Sequence, residues 1–177
     1  WRMTKPTIKK SKSPAPRRRV TRGTGSFVTL TGLSGAGKTQ AIRALEDLGY
    51  FCVDNLPTQM IPTMADLATR AATSVRKVAI VVDVREGGFL AQFPRVYRKL
   101  KARGPVAPTL IFLEARDAAL VRRFSESRRP HPLAPDRSVS EGIYEERRKL
   151  KSIRSMADLT LDTSNLTVHE FRNTFMG

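Results

Sequence analysis

Residues 27–48 decide the fold: Phe27-Val28-Thr29-Leu30-Thr31-Gly32-Leu33-Ser34-Gly35-Ala36-Gly37-Lys38-Thr39-Gln40-Ala41-Ile42-Arg43-Ala44-Leu45-Glu46-Asp47-Leu48. The first residues read as a short apolar strand. Ala41, Ile42, Leu45 and Leu48 share one face of a helix that Gly49 stops. Between them, Gly32 to Thr39 matches the phosphate-binding pattern G-x-x-x-x-G-K-[ST] in full. Gly32, Gly35 and Gly37 let the backbone turn, so that the loop, which includes Leu33, Ser34 and Ala36, presents its N–H groups to phosphate oxygens. Lys38 supplies a point charge for the terminal phosphates, and the Thr39 hydroxyl suits Mg²⁺. The anion then sits on a helix N-terminus. These positions assign a nucleoside triphosphate, ATP or GTP, with Mg²⁺.

Outward from this segment, apolar runs and amphipathic stretches alternate. Strands are expected at 27–32, 50–54, 77–84, 108–114 and 158–162, and helices at 38–48, 60–72, 89–102, 117–129, 140–156 and 167–175. Val78-Ala79-Ile80-Val81-Val82 and Leu110-Ile111-Phe112-Leu113 are continuous apolar runs, as in strands covered on both faces. The pattern predicts an α/β fold, a doubly wound parallel sheet of about five strands of the P-loop NTPase or kinase kind, with its ligand at the carboxyl ends of the strands.

The formal net charge of +16 is unevenly spread. Residues 1–25 hold nine Lys/Arg and no acid, which leaves +7 for residues 26–177, the expected nucleotide-binding domain. The 1–25 segment is rich in Ser, Thr and Pro and poor in large apolar residues, so it is expected to be a disordered basic tail. Such an arm suits RNA phosphates, an acidic partner or no selected partner at all. No stretch approaches the about 18 apolar residues of a membrane span. The one cysteine, Cys52, rules out an internal disulfide, which fits the reducing cytoplasm. Whether the chain forms a homo-oligomer is left open.

Further candidate groups lie at strand ends. Asp83 follows the 77–83 apolar run, where an Asp holds Mg²⁺ directly or through water, and Arg85 and Glu86 come next. Asp54 ends the second strand in Asp54-Asn55-Leu56-Pro57. It reads equally as a contact to metal-bound water or acceptor substrate and as a turn residue. Arg123 and Arg128, beside Arg122 and Arg129, end a helix before the Pro-rich loop 130–135. They suit either phosphoryl neutralisation from a lid or a solvated helix end. His131 carries no assigned chemistry. Glu141, Glu145 and Glu146, followed by Arg147, Arg148, Lys149, Lys151 and Arg154, complement a helix dipole and need no ligand, while a basic face built from this helix and the 122–129 arginines also suits RNA phosphates.

The run TGLSGAGKTQAIRALEDLGYFCVDNLP (31–57), with VVDVRE (81–86) and RRPHPL (128–133), closely resembles the amino-terminal domain of the RapZ/YvcJ family of bacterial nucleotide-binding RNase adapter proteins. The resemblance covers about residues 27–175. It implies an ATP site at Gly32–Thr39 and a GTP-assigned segment at Asp83-Val84-Arg85-Glu86. Family members often carry Asn where Glu86 stands, and an added negative charge there weakens phosphate binding. Full-length members continue into a second domain that binds small regulatory RNA and senses an amino sugar phosphate; that domain is absent from these residues.

Three functions follow. The first is a regulatory domain that hydrolyses ATP or GTP slowly, with Lys38 on the β/γ-phosphates, Thr39 and Asp83 on Mg²⁺ (Asp54 next in line) and Arg123 and Arg128 on the γ-phosphate. The second is a small-metabolite phosphotransferase, and the third an RNA-binding module with nucleotide as a structural ligand.

Overall fold

Three strands buried on both faces form the centre of the sheet: β1 (Ser26–Gly32), where Thr29 and Thr31 are buried beside apolar residues, β3 (Lys77–Val81) and β4 (Pro108–Glu114). The short strands β2 (Phe51–Val53) and β5 (Leu159–Asp162) are the edges. All five run parallel in the order β2-β3-β1-β4-β5. Phe27 lies opposite Val78 and Pro108, and Thr29 opposite Ile80 and Leu110, so the buried side chains stack in rows across the sheet. The computed structural model describes residues 25–69, 77–83, 85 and 88–176. The basic tail (but for Gly25), Val84, Glu86 and the end of the 60–72 helix therefore lie outside the described residues.

The helices are α1 (Lys38–Asp47), α2 (Ile61–Thr69), α3 (Gly88–Arg103), α4 (Asp117–Ser127), α5 (Val139–Met156) and α6 (Val168–Met176), with a 3-10 turn at Thr58–Met60 before α2. Right-handed crossovers in this strand order put α1 on one face and α2, α3 and α5 on the other. The packing divides the same way: α1 lies against α6, and α3 against α2 and α5. The connection after β1 thus leaves on the opposite face from those after its neighbours β3 and β4. That divergence opens a crevice at the carboxyl edge of the sheet, where open α/β sheets take their ligands.

Helix ends differ from expectation by one or two residues, and two of these shifts have clear local reasons. The helix placed at 140–156 starts at Val139, because Ser138 forms a capping box with Glu141: Ser138 Oγ accepts from the Glu141 amide and the Glu141 carboxylate accepts from the Ser138 amide. The helix placed at 117–129 ends at Ser127, where Arg128 turns left-handed with φ 53°. Among the described residues no helix is long and apolar enough to cross a membrane.

Candidate functional site

The loop between β1 and α1 is held in shape before any ligand arrives. Gly32 passes so close to β4 that a Cβ would meet the Leu113 carbonyl oxygen at 2.2 Å. Gly37, at φ 108°, caps α1 in a left-handed conformation that lets the chain enter the helix without a side chain over the loop. Three loop amides are already used: Leu33 donates to the Leu113 carbonyl, Ala36 to the Leu33 carbonyl, and Ser34 to Glu146 Oε1 at 2.6 Å. The amides of Gly35 and Gly37 find no acceptor among the described residues, and those of Lys38 and Thr39 have none inside the helix. No acidic side chain stands in the first turn of α1.

These free amides face a cleft of about 580 Å³, lined by Gly35, Gly37, Lys38, Thr39, Asp54 and Asp83 and walled by Arg85, Arg123, Arg129 and the prolines of the 130–132 loop. The Lys38 ammonium donates to the Gly32 carbonyl at 2.8 Å. Burial pushes its pKa down, with Asp83 and Glu146 opposing. Asp83, buried two residues beyond β3, takes the Arg85 guanidinium on Oδ2 at 3.0 Å and the Arg85 amide on Oδ1 at 3.1 Å. Burial works against its charge, yet Lys38 and Arg85 outweigh it and hold the carboxyl below the usual range. Asp54 is exposed at the cleft mouth and also accepts the Asn55 amide at 2.9 Å, so it serves the turn and faces the cleft at once.

The arginines divide. Arg123 Nη1 donates to the Gly35 carbonyl (3.0 Å) and Thr163 Oγ1 (3.1 Å), and Nη2 to the Thr163 carbonyl (2.6 Å). Thr163 Oγ1 in turn donates to the Ala36 carbonyl at 2.8 Å, so Arg123 and Thr163 brace the loop from behind. Arg129 lines the cleft. Arg128, the left-handed residue after α4, is exposed and is not among the cleft residues. The basic face expected from α5 is largely neutralised: Arg154 pairs with Glu114, Arg147 with Asp117, and Lys149 with Glu145.

Two residues that the sequence left without a role sit at the centre of this network. Glu146 is fully buried and takes both the amide and the hydroxyl of Ser34, the latter at 2.7 Å on Oε2. The helix-dipole reading of Glu146 is thereby corrected: the carboxylate faces the phosphate loop, not solvent. His131 is also fully buried, its Nε2 lying 3.6 Å from Glu146 Oε1. A signal existed, since Ile143, Glu146, Leu150 and Ile153 form the buried stripe of α5. A carboxylate on an apolar stripe requires a partner.

The model of the RapZ-like N-terminal domain matches residues 26–176. The chain belongs to this family. A protein of Solibacter usitatus, called a nucleotide-binding protein, is 52% identical over 151 residues, covering 85% of this chain and 46% of that protein. One of Acidobacterium capsulatum with the same description is 45% identical over 162 residues, covering 92% of this chain and 51% of that one. This RapZ-like chain thus spans about half the length of the curated relatives it matches. Among solved structures, a shikimate kinase of Bacteroides thetaiotaomicron superimposes with a TM-score of 0.59 at 16% identity, covering 85% of this chain and 94% of its own. The YorR protein of Bacillus subtilis, solved with phosphorylated GDP, gives 0.56 at 14% identity over 85% of this chain and 94% of its own. The RapZ-like domain therefore has a P-loop kinase-like fold.

Proposed function

We propose that this domain binds a nucleoside triphosphate, ATP or GTP, with Mg²⁺ in the cleft above β1 and β3, and turns it over slowly as the regulatory half of a RapZ-like protein. One observation carries the reading: the unpaired amides of Gly35 and Gly37, the first turn of α1 and Lys38 converge on a single cleft that also holds Asp83. The relatives' description as nucleotide-binding proteins supports it.

The donor set fits Mg²⁺. Thr39 and Asp83 offer a hydroxyl and a carboxylate, with Asp54 at the mouth, and no group of three or more His, Cys, Asp or Glu gathers as a cage among the described residues. Mg²⁺ is held in this sparse way, by one or two protein oxygens plus phosphates and water. When bound it neutralises charge on the β- and γ-phosphates. Lys38 and the loop amides orient the triphosphate, and Arg129 approaches the γ-phosphate from the lid loop in place of Arg128. Slow turnover follows from what is already engaged: the Arg123 guanidinium is held by Gly35 and Thr163 and is not free to stabilise developing charge.

A second reading, phosphoryl transfer to a small metabolite, draws on exposed Asp54 facing the same cleft as Lys38. The 1–25 segment, with nine Lys/Arg and no acid, suits contact with RNA phosphates. A phosphate-release assay with ATP and GTP, run with and without a metabolite pool, tests the choice. Slow, metabolite-independent release supports the regulatory domain. A phosphoester product formed from one metabolite would replace it with the kinase.

A further inference from the structure

Ser34, Glu146 and His131 come from three separate segments: the phosphate loop, α5 and the Pro-rich loop that forms the lid side of the cleft. Each is at most 8% exposed. Glu146 takes the Ser34 amide and hydroxyl at 2.6 and 2.7 Å, removing Ser34 from the donors that a phosphate can use. The loop can then present only its glycine and first-turn amides. Glu146 therefore sets the direction of the anion cradle through Ser34, although it does not itself line the cleft.

His131 ties the lid side to the same carboxylate. Its Nδ1 accepts the Leu133 amide at 3.1 Å, which leaves the proton on Nε2. Nε2 is buried, has no hydrogen-bond partner among the described residues, and points to Glu146 Oε1 from 3.6 Å. That is a few tenths of an ångström too long for a hydrogen bond, and a buried donor left unmade is costly. The ring is packed against Phe124, whose own ring lies 3.4 Å from a Cβ built on Gly35, and against Gly142, which admits it only for lack of a side chain. His131 is flanked by Pro130 and Pro132 and follows Arg129, all of which line the cleft. Because Arg129, Pro130 and Pro132 adjoin His131 in the chain, any change in the Nε2–Oε1 distance is coupled to these cleft-lining residues.

We propose that Glu146 and His131 are a positioning pair for the nucleotide site: Glu146 fixes which amides of the phosphate loop face the ligand, and the unmade His131–Glu146 hydrogen bond closes when nucleotide draws the lid loop inward. The proposal rests on the nucleotide reading above. Two substitutions at His131 separate it from a purely structural role. His131→Gln keeps a donor near the Nε2 position and gives up the Nδ1 acceptor. His131→Asn keeps an acceptor near Nδ1 for Leu133 and gives up the donor to Glu146. At Glu146, the Gln variant keeps an acceptor for the Ser34 amide and turns an N–H₂ toward the Ser34 hydroxyl, while Ala strands both.

The experiment is calorimetric titration of the full chain and these four variants with ATP and GTP in Mg²⁺, well below each variant's separately measured melting temperature. Glu146→Gln and His131→Gln should bind within about threefold of the parent. His131→Asn and Glu146→Ala should bind on the order of tenfold or more weakly, the scale of one lost charge-assisted hydrogen bond. If Glu146→Ala fails to fold, the His131 pair decides. Equal affinities for His131→Asn and His131→Gln, or melting temperatures that fall while affinities stay at the parental value, would overturn the proposal. A parent chain that binds neither nucleotide would overturn the nucleotide reading on which it rests.

Discussion

Replacing Gly142 by Ala should destabilise the domain, although a glycine inside a helix is ordinarily improved by that change. In an open helical position the substitution gains about 1 kcal/mol. Here the new Cβ would lie 2.4 Å from His131 Cγ, 2.5 Å from Nδ1 and 2.8 Å from His131 Cβ. Rotating the imidazole does not relieve a clash with its own Cβ. The ring is further held by the Leu133 amide and by Phe124, their ring centroids 5.2 Å apart. Overpacking of this kind costs about 1–3 kcal/mol, and the immobile neighbour argues for the upper end. The net loss is then about 2 kcal/mol, or roughly 4–8 °C of melting temperature for a domain of this size. Thermal unfolding followed by far-UV circular dichroism reads it. The loss should shrink when His131 is first replaced by Ala, which removes the contacts at 2.4 and 2.5 Å and keeps only the Cβ contact at 2.8 Å. A melting temperature that rises in the His131 background would refute the packing of this ring on α5.

Asp83→Asn should spare much of the nucleotide affinity and suppress Mg²⁺-dependent phosphate release; full release would move the metal to Asp54. The same variant should flatten acid unfolding. A carboxyl held below its usual range contributes stability present above about pH 4 and lost as pH falls through its folded value, so urea melts at pH 3 and 7 should differ less than in the parent. Deleting residues 1–25 should weaken RNA binding and leave nucleotide binding alone, with the lost part of the affinity steep in salt. Retention of structured-RNA preference by the truncated chain would point instead to the folded surface, where Arg122 and Arg128 are exposed. Cys52, whose thiol is pushed up to about 11 by burial and by Glu46, should carry about a hundredfold less thiolate at pH 8 than an ordinary cysteine; rapid alkylation there would contradict its packing.

What could be read from the sequence was local in origin. The phosphate loop was legible because Gly32, Gly37, Lys38 and Thr39 stand at fixed spacings within eight consecutive residues. The sheet was legible because β3 and β4 are buried on both faces and so spelled as unbroken apolar runs. The positions of the arginines were not. Arg123 read equally as a lid group and as a solvated helix end, yet its partners lie 88 and 40 residues away along the chain, and no spacing encodes them. Arg147 and Arg154 looked like a basic face until Asp117 and Glu114 came round to meet them. His131 stood in a loop with no periodicity to betray its burial, while Glu146 was hidden among neighbouring charges. Only its place on the stripe of Ile143, Leu150 and Ile153 separated it from Glu145, which faces Arg137 at the surface.

The central claim is that the loop from Gly32 to Thr39 is a working triphosphate site whose charge comes from Lys38. Its most direct test is titration of the parent and Lys38→Ala with ATP and GTP, with and without Mg²⁺, after circular dichroism has matched their folds. The account predicts one saturable, Mg²⁺-strengthened site in the parent and no measurable binding in the variant. Binding of equal strength in both chains would contradict it.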